Sequence, residues 1–395
     1  MHVAVIGGGA SGVFFAICLK ELDSFADVTI FEASNKLLSK VELSGGGRCN
    51  CTNTFENVKR LSDVYPRGAN MMKSLFKQFS PKDTAAWFEN HGVKLKKQND
   101  GRVFPLSQDS HTVINCFLSL LKRYNVKTEY SHRVTSIEEL HGFDCVIVSV
   151  GGYPNTELNN SLANLGHGVI KPLPSLFAFE LGADALRNLS GISVNGAELL
   201  IPATKFRAKG DLLLTHWGIS GPLCLKLSSY AAPYLSEKSY KSPLIINWTG
   251  KNYNQCEEML KDCFDSNQQK LISNINPFAL PNSLWRYIIE KSLKERAKNK
   301  ISSLNLKDVN RLLNNLCSDE YNIVGKAPNK DEFVTCGGLS LQSLDRETLE
   351  SKFVSNLYFT GEALDIDGIT GGFNLQAAWT TAFVAARSVY KKYLG

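Results

Sequence analysis

The spacing of apolar positions changes several times along the chain, and each change marks an element. Val3–Ile6 is a short unbroken apolar run and Val28–Phe31 is apolar but for Thr29, the pattern of strands covered on both faces. A helical run lies between them, so the first thirty residues predict strand, turn, helix and parallel strand. Residues 68–91 predict two helices. Ser80–Pro81 supplies an N-cap and a proline at the first helical position, and Gly92 stops the second helix. Asp109–Ser110 opens a helix to about Tyr124 with Val113, Phe117, Leu120 and Leu121 on one face. Val126–Tyr130 and Arg133–Glu138 alternate like strands, and Phe143–Val150, apolar but for Asp144 and Ser149, reads as a strand running into Gly151-Gly-Tyr-Pro-Asn-Thr156. From Lys171 the texture changes. Residues 175–250 are short strand-like runs broken by Gly, Pro and Asn, and Asn254–Asp265, Asn282–Ala297 and Asn305–Cys317 read as helices. Strand patterns return at Glu332–Gly338 and Leu357–Thr360, followed by an Ala-rich helix from Asn374 to about Tyr390. Trp87, Phe88, Trp379 and Phe383 are expected in the core.

The turns carry the candidate chemistry. Gly7-x-Gly9-x-x-Gly12 sits between the first strand and its helix. Gly7 permits the turn, Gly9 lets a diphosphate approach the backbone, and Gly12 lets the helix pack on the strand. Ala10 and Ser11 open the helix, whose free N–H groups and dipole favour phosphate. Glu32, followed by Ala33, lies twenty residues past Gly12, where an acid accepts hydrogen bonds from an adenosine ribose. A second loop, Ser44-Gly-Gly-Gly-Arg-Cys-Asn-Cys-Thr-Asn53, is dense in backbone donors beside the fixed cation of Arg48. It suits a diphosphate and the polar edge of a flavin ring.

Gly7–Gly12 followed by Ser44–Asn50 resembles the bacterial BaiN/RdsA-type NAD(P)/FAD-dependent flavoproteins, a family including proteins described as aminoacetone oxidases. The resemblance continues through Gly101-Arg-Val-Phe-Pro105, Leu214-Thr-His-Trp-Gly-Ile-Ser-Gly-Pro222, Tyr358-Phe-Thr-Gly-Glu362 and Asp367-Gly-Ile-Thr-Gly-Gly-Phe-Asn-Leu-Gln376. The chain departs from the family where Gly-Arg-Lys is usual and Leu38-Ser-Lys40 stands; Lys40 is kept and the arginine is not. The fold implied is α/β: a Rossmann-like, glutathione-reductase-like FAD-binding domain from residues 1–170 and 331–395. A β-rich substrate subdomain (171–250) and a helical subdomain (251–330) are inserted into it.

The resemblance also implies an FAD set. Gly7, Gly9, Ala10, Ser11, Gly12, Glu32, Ala33 and Lys40 would take its ADP end, with Val134 meeting the adenine through backbone atoms. Gly45, Gly46, Gly47, Arg48, Cys49 and Asn50 of the second loop, with Ser44, would take the flavin half. Gly151 and Gly152 would pass under the cofactor. Gly361, Glu362, Asp367, Gly371, Gly372, Phe373 and Asn374 would hold the ribityl chain and aim a helix N-terminus at the flavin pyrimidine, where its dipole stabilises negative charge. Arg102 could face an anionic substrate or simply be a surface arginine. His216 could move a proton or bond a nearby carbonyl.

Composition narrows this only a little. A net charge of +6 over 395 residues suits an anionic ligand but is too diffuse to argue for nucleic acid. Lys291, Lys294, Arg296, Lys298 and Lys300 form a basic run diluted by Glu290 and Glu295, which reads as a solvated helical face. The ten cysteines show no C-x-x-C pair, Cys49 and Cys51 included, and read as reduced thiols of a cytoplasmic protein. No secretory signal or membrane span is expected, and no His/Cys/Asp cluster has metal-ligand spacing. Ser220 lacks the G-x-S-x-G spacing of a hydrolase elbow. There is no second G-x-G-x-x-G, so an NAD(P)H donor would bind transiently at the flavin face. The expectation is an FAD-dependent oxidoreductase exchanging a hydride between flavin N5 and a small molecule. Reduction of an activated C=C bond, amine oxidation by oxygen and flavin-dependent RNA modification all stay open, as does the oligomeric state.

Overall fold

A computed structural model describes residues 1–152, 156–182, 184–327 and 334–394, which divide into two compact units, residues 1–173 with 334–395 and residues 174–333. Tyr153, Pro154, Asn155, Glu332 and Phe333, which the expected strand and glycine patterns include, lie outside the described residues.

The first unit is built on a five-stranded parallel sheet. Its strands are β1 (His2–Ile6), β2 (Asp27–Phe31), β3 (Lys127–Glu129), β4 (Cys145–Val148) and β5 (Leu357–Phe359), in the spatial order β5-β4-β1-β2-β3. Val3 pairs in register with Val28 on one side and Cys145 on the other. β1 is central, and its unbroken apolar run follows from burial on both faces. Two helices, α1 (Ala10–Leu22) and α2 (Ser110–Arg123), pack with the C-terminal α3 (Phe373–Leu394) around an aromatic centre. Phe14 meets Trp87 edge-on at 4.7 Å between ring centroids, and Trp379 lies 5.3 Å from Phe14 and 5.5 Å from Phe117. The helix signals read from sequence hold at Pro81–Asn90, where Ser80 and Asp83 form a reciprocal capping box, and at α2, capped by Asp109.

Arg133–Glu138 is not a strand. The chain turns across the end of β2, with His132 N–H donating to the Glu32 carbonyl, and then enters a 3₁₀ turn at Ile137–Leu140. Its alternation belongs to an irregular crossing in which Val134 alone is well buried.

The second unit is a closed six-stranded barrel in the order Ser193–Leu200, Arg207–Thr215, Gly218–Ser220, Phe179–Leu181, Asp319–Lys326 and Ser242–Asn247. Asp319–Lys326 follows the helical segment yet closes the barrel, so the β-rich and helical insertions share one core. Within the β-rich stretch, Gly221–Glu237 is a 17-residue helix. Pro222 stands in its first turn, and Leu223, Leu227, Ala231 and Leu235 recur at helical spacing on its buried face. Among the described residues no helix is long and apolar enough to cross a membrane, and no cluster of His, Cys, Asp or Glu could hold a metal ion.

Candidate functional site

The C-terminal ends of β1, β2 and β4 meet at the first glycine turn, the crevice where open parallel sheets take ligands. Gly7 has φ +104°, and a Cβ there would stand 2.5 Å from the Ser149 carbonyl oxygen. A Cβ on Gly12 would stand 2.1 Å from the Gly7 carbonyl oxygen and 2.5 Å from Ser149 Oγ, so strand, turn and helix touch through backbone. Ser149 Oγ donates to the carbonyls of Ile6 (2.9 Å) and Gly7 (3.0 Å) and ties β4 to the turn. Gly9 differs: it has φ −80°, and nothing lies within 4 Å of the place its Cβ would occupy.

Glu32 accepts N–H groups from Gly8 (2.8 Å) and Ser34 (2.7 Å), one on each oxygen. Each oxygen keeps lone-pair capacity toward the cleft. That cleft, about 450 Å³ of open space, is lined by Gly7, Glu32, Ala33, His132, Val134 and Val150 among others. Gly7, Glu32, Ala33 and Val134 are thus brought together.

Around the second loop, Ser39–Gly47 begins as a helical turn and breaks at Ser44–Gly46, where Gly45 and Gly46 take positive φ. Gly46 and Gly47 are exposed and face open space. Arg48 Nε donates to the Gly45 carbonyl at 3.1 Å, and its guanidinium lies 4.4 Å from the Phe104 ring centre. Arg102 lies 5.8 Å from the same ring and is held by Asp100 at 2.7 Å, so one phenyl ring gathers both arginines. Cys49 and Cys51 are fully buried with their sulfurs 3.7 Å apart. The contact with Cys49, and then burial, push the Cys51 thiol well above its ordinary pKa, which suits packing rather than thiolate chemistry. Ser44 Oγ bonds the Val41 carbonyl (2.8 Å).

The closing segment is stitched to this loop. Asn50, with its amide turned to satisfy both ends, accepts from Gly372 N–H (3.0 Å) and donates to the Thr52 carbonyl (3.1 Å). Asn53 Nδ2 donates to the Gly371 carbonyl (3.0 Å), Trp379 Nε1 to the Cys51 carbonyl (2.8 Å). A Cβ on Gly372 would stand 2.4 Å from the Thr52 carbonyl oxygen. Asn374 clamps Gly368 by both N–H and C=O, and Tyr65 donates to the Phe373 carbonyl (2.8 Å). Fully buried Gln376 is shared by Thr52, Thr84 and Thr380. Asp367, expected as a cofactor contact, is fully buried in a two-pronged ion pair with Arg67. Nearby, burial raises the pKa of Asp365 against the opposing effect of Arg67, and its Oδ1 has no hydrogen-bond partner.

Lys40 and Glu362 form an ion pair at 2.8 Å, and Glu362 also accepts Thr335 N–H. A Cβ on Gly152 would stand 2.8 Å from Glu362 Oε1, which seats the Gly151–Gly152 turn beneath that carboxylate. Gly361 lies on buried Ser11, whose Oγ would be 2.4 Å from a Cβ there. His216 belongs to the second unit, exposed at the tip of the hairpin joining Arg207–Thr215 to Gly218–Ser220, with its ring 4.1 Å from Trp217. Arg67, Phe104 and Gln376 were not among the expected site residues; Arg67 carries no local motif, and although Phe104 and Gln376 stand within the Gly101–Pro105 and Asp367–Gln376 stretches, their partners Arg48 and Thr52 lie far away in sequence.

A sequence profile described as the HI0933-like protein Rossmann domain matches residues 1–388. The chain belongs to the HI0933-like family. A curated relative, the "Ribosomal RNA dihydrouridine synthase" of Haemophilus influenzae, is 27% identical over 98% of each chain. The "3-dehydro-bile acid delta(4,6)-reductase" of Clostridium scindens is 26% identical over 99% of each. In fold the chain is similar to a 3-ketosteroid delta1-dehydrogenase from Sterolibacterium denitrificans, with a TM-score of 0.50, 12% identity and 99% of both chains covered. This member of the HI0933-like family is an FAD-dependent oxidoreductase. Its residues fit that cofactor: Gly9, Gly46 and Gly47 present bare backbone to open space, and an acid stands at the cleft beyond β2.

Proposed function

We propose that the protein reduces a carbon–carbon double bond conjugated to a carbonyl. The two curated relatives carry this reading. Each spans essentially the whole chain, and each name describes adding hydrogen to such a bond, in a uracil ring or in a steroid. Bound FAD would supply two-electron exchange with the substrate. The protein's own part is to hold and polarise. Gly7–Gly12, Glu32, Ala33, Lys40 and Val134 would seat the ADP end; Ser44–Asn50, Gly151, Gly152, Gly361 and Glu362 would flank the middle and the ring. The α3 N-terminus at Gly371–Asn374 would stabilise negative charge on the ring. Asp367 would act through Arg67, fixing the segment that carries that N-terminus. Arg48 and Arg102 would face an anionic or carbonyl-bearing substrate, and His216 would serve as proton donor. NADH or NADPH would deliver electrons by transient binding.

A second reading, in which the reducible ring is a uridine of ribosomal RNA, is favoured by the name of the Haemophilus relative. The basic run gives it little support, because Lys291 pairs with Asp319 and Arg296 with Asp308 at 2.6 Å. The test is anaerobic: NADPH or NADH is added until the flavin bleaches, then a 4-en-3-one steroid or unmodified ribosomal RNA is supplied. Recolouring by the enone alone supports a small-molecule reductase, and recolouring by RNA alone supports the second reading. Recolouring by oxygen only, with neither acceptor turned over, overturns both.

A further inference from the structure

The corner that gathers Arg48 and Arg102 is unevenly paired. Arg102 and Phe104 alternate along the strand Arg102–Pro105 and so share a face. Phe104 is fully buried beneath the second glycine loop, where a Cβ on Gly45 would stand 2.9 Å from its ring. Both guanidiniums lie against that ring, Arg48 at 4.4 Å and Arg102 at 5.8 Å from its centre. Stacking of this kind fixes a cation in place and removes part of its water.

The two charges are matched differently. Arg102 Nε donates to Asp100 at 2.7 Å, and Asp100 also accepts the Arg102 backbone N–H at 3.2 Å. Arg48 meets only uncharged acceptors, the Gly45 carbonyl at 3.1 Å and Gln108 Oε1 at 3.4 Å, which leaves the rest of its N–H fork uncommitted. Gln108 is itself anchored, donating to the Pro105 carbonyl at 3.0 Å. Among the described residues no carboxylate forms an ion pair with Arg48; Glu42 is paired with Lys36 and Asp109 with His111. Two guanidiniums against one carboxylate leave one positive charge, and it belongs to Arg48. Beside it in the chain, Gly46 and Gly47 are exposed, with open space where a Cβ would stand. Two exposed leucines belong to the same segments: Leu43 precedes the glycines, and Leu106 lies between Phe104 and Gln108. A fixed, unneutralised guanidinium in apolar company suits the carboxylate of a largely apolar molecule.

We propose that Arg48 binds a carboxylate of the substrate, so that the double bond reduced belongs to an apolar molecule bearing a single negative charge away from its conjugated carbonyl. This rests on the proposed reduction of such a carbonyl compound and narrows its substrate. Arg48 clamps the acid, and Phe104 and Gln108 hold Arg48 in place. Arg102, neutralised by Asp100, adds no second free charge. A phosphate monoester, with its greater negative charge, would be left uncompensated and repelled by Asp100.

The test uses the holoprotein, a 4-en-3-one steroid with a side-chain carboxylate, and its methyl ester. Binding to the oxidised protein is read from the change in flavin absorbance, and turnover from recolouring of the reduced flavin. The acid should bind at least about tenfold more tightly than the ester, the size expected for one charge-assisted contact. Arg48→Met, which keeps an unbranched chain over the Phe104 ring, should bring that ratio close to unity, and Arg48→Lys should restore part of it. Asp100→Asn, which removes the competing negative charge, should raise the ratio. Equal binding of acid and ester by the wild type, a ratio unmoved by Arg48→Met, or a ratio that falls in Asp100→Asn would overturn the proposal. Failure of the site and failure of the reaction are distinguishable. Both compounds reduced without preference removes the carboxylate site and leaves the reductase; preferential binding of the acid with neither compound reduced leaves the site and removes the reductase.

Discussion

Replacing Gly9 with alanine separates cofactor binding from folding. The backbone at Gly9 has φ −80° and ψ −167°, a conformation alanine adopts without strain, and the added Cβ meets no protein atom within 4 Å. The apoprotein should therefore keep its stability to within about 0.5 kcal/mol, as surface substitutions usually do. The methyl would instead stand where a diphosphate must approach the turn. Losing one charge-assisted N–H···O contact there costs about 1.5–3 kcal/mol, equivalent to roughly a 10- to 150-fold weaker FAD. Gly12→Ala is the contrasting change, since its Cβ would overlap the Gly7 carbonyl at 2.1 Å. Moving α1 off the turn should destabilise even the apoprotein by about 1–3 kcal/mol. Apoprotein stability is read from urea unfolding, and affinity from quenching of FAD fluorescence. A Gly9→Ala protein with unchanged FAD affinity, or with an apoprotein destabilised as much as that of Gly12→Ala, would refute the placement of the phosphates on this turn.

Two further changes test the supporting structure. Arg67→Met leaves the fully buried Asp367 without its charge partner and should cost about 3–5 kcal/mol in urea unfolding, much of it recovered when Asp367→Leu is added. Burial holds the pKa of His167 below the ordinary value, with Ser351 Oγ at 2.8 Å from its Nε2. The unfolded chain takes up the proton first, so stability should fall as pH drops below about 6.5 and be insensitive to this group above it. A His167→Gln protein should show a shallower acid limb, measured as Tm against pH.

What was legible in the sequence was local. Gly7–Gly12, the helix after it and Glu32 form one continuous strand–turn–helix–strand, and each glycine has a steric reason that a spacing rule captures. The capping boxes and the helix stops were likewise written within four residues. What could not be read depends on partners distant in the chain. Arg67 and Asp367 are three hundred residues apart, and the barrel is closed by a strand that follows three helices. Gly221–Glu237 was hidden inside a run of strands, although Pro222 and the spacing from Leu223 to Leu235 carried the helical signal. Arg133–Glu138 failed the other way: an alternating pattern fell on a crossing whose backbone is set by the end of β2. The gathering of Arg48 and Arg102 by Phe104 follows from the pairing of Arg102–Pro105 with Thr52–Asn53, which neither segment announces.

Every role given to the glycine turns rests on FAD being bound there and used. The most direct measurement is the absorbance spectrum of the purified protein after FAD addition and desalting, before and after anaerobic NADPH or NADH. Flavin bands retained near stoichiometry are expected, released as FAD on heating and bleached by at least one of the two donors. A protein that stays colourless and releases no FAD, although folded, would contradict it.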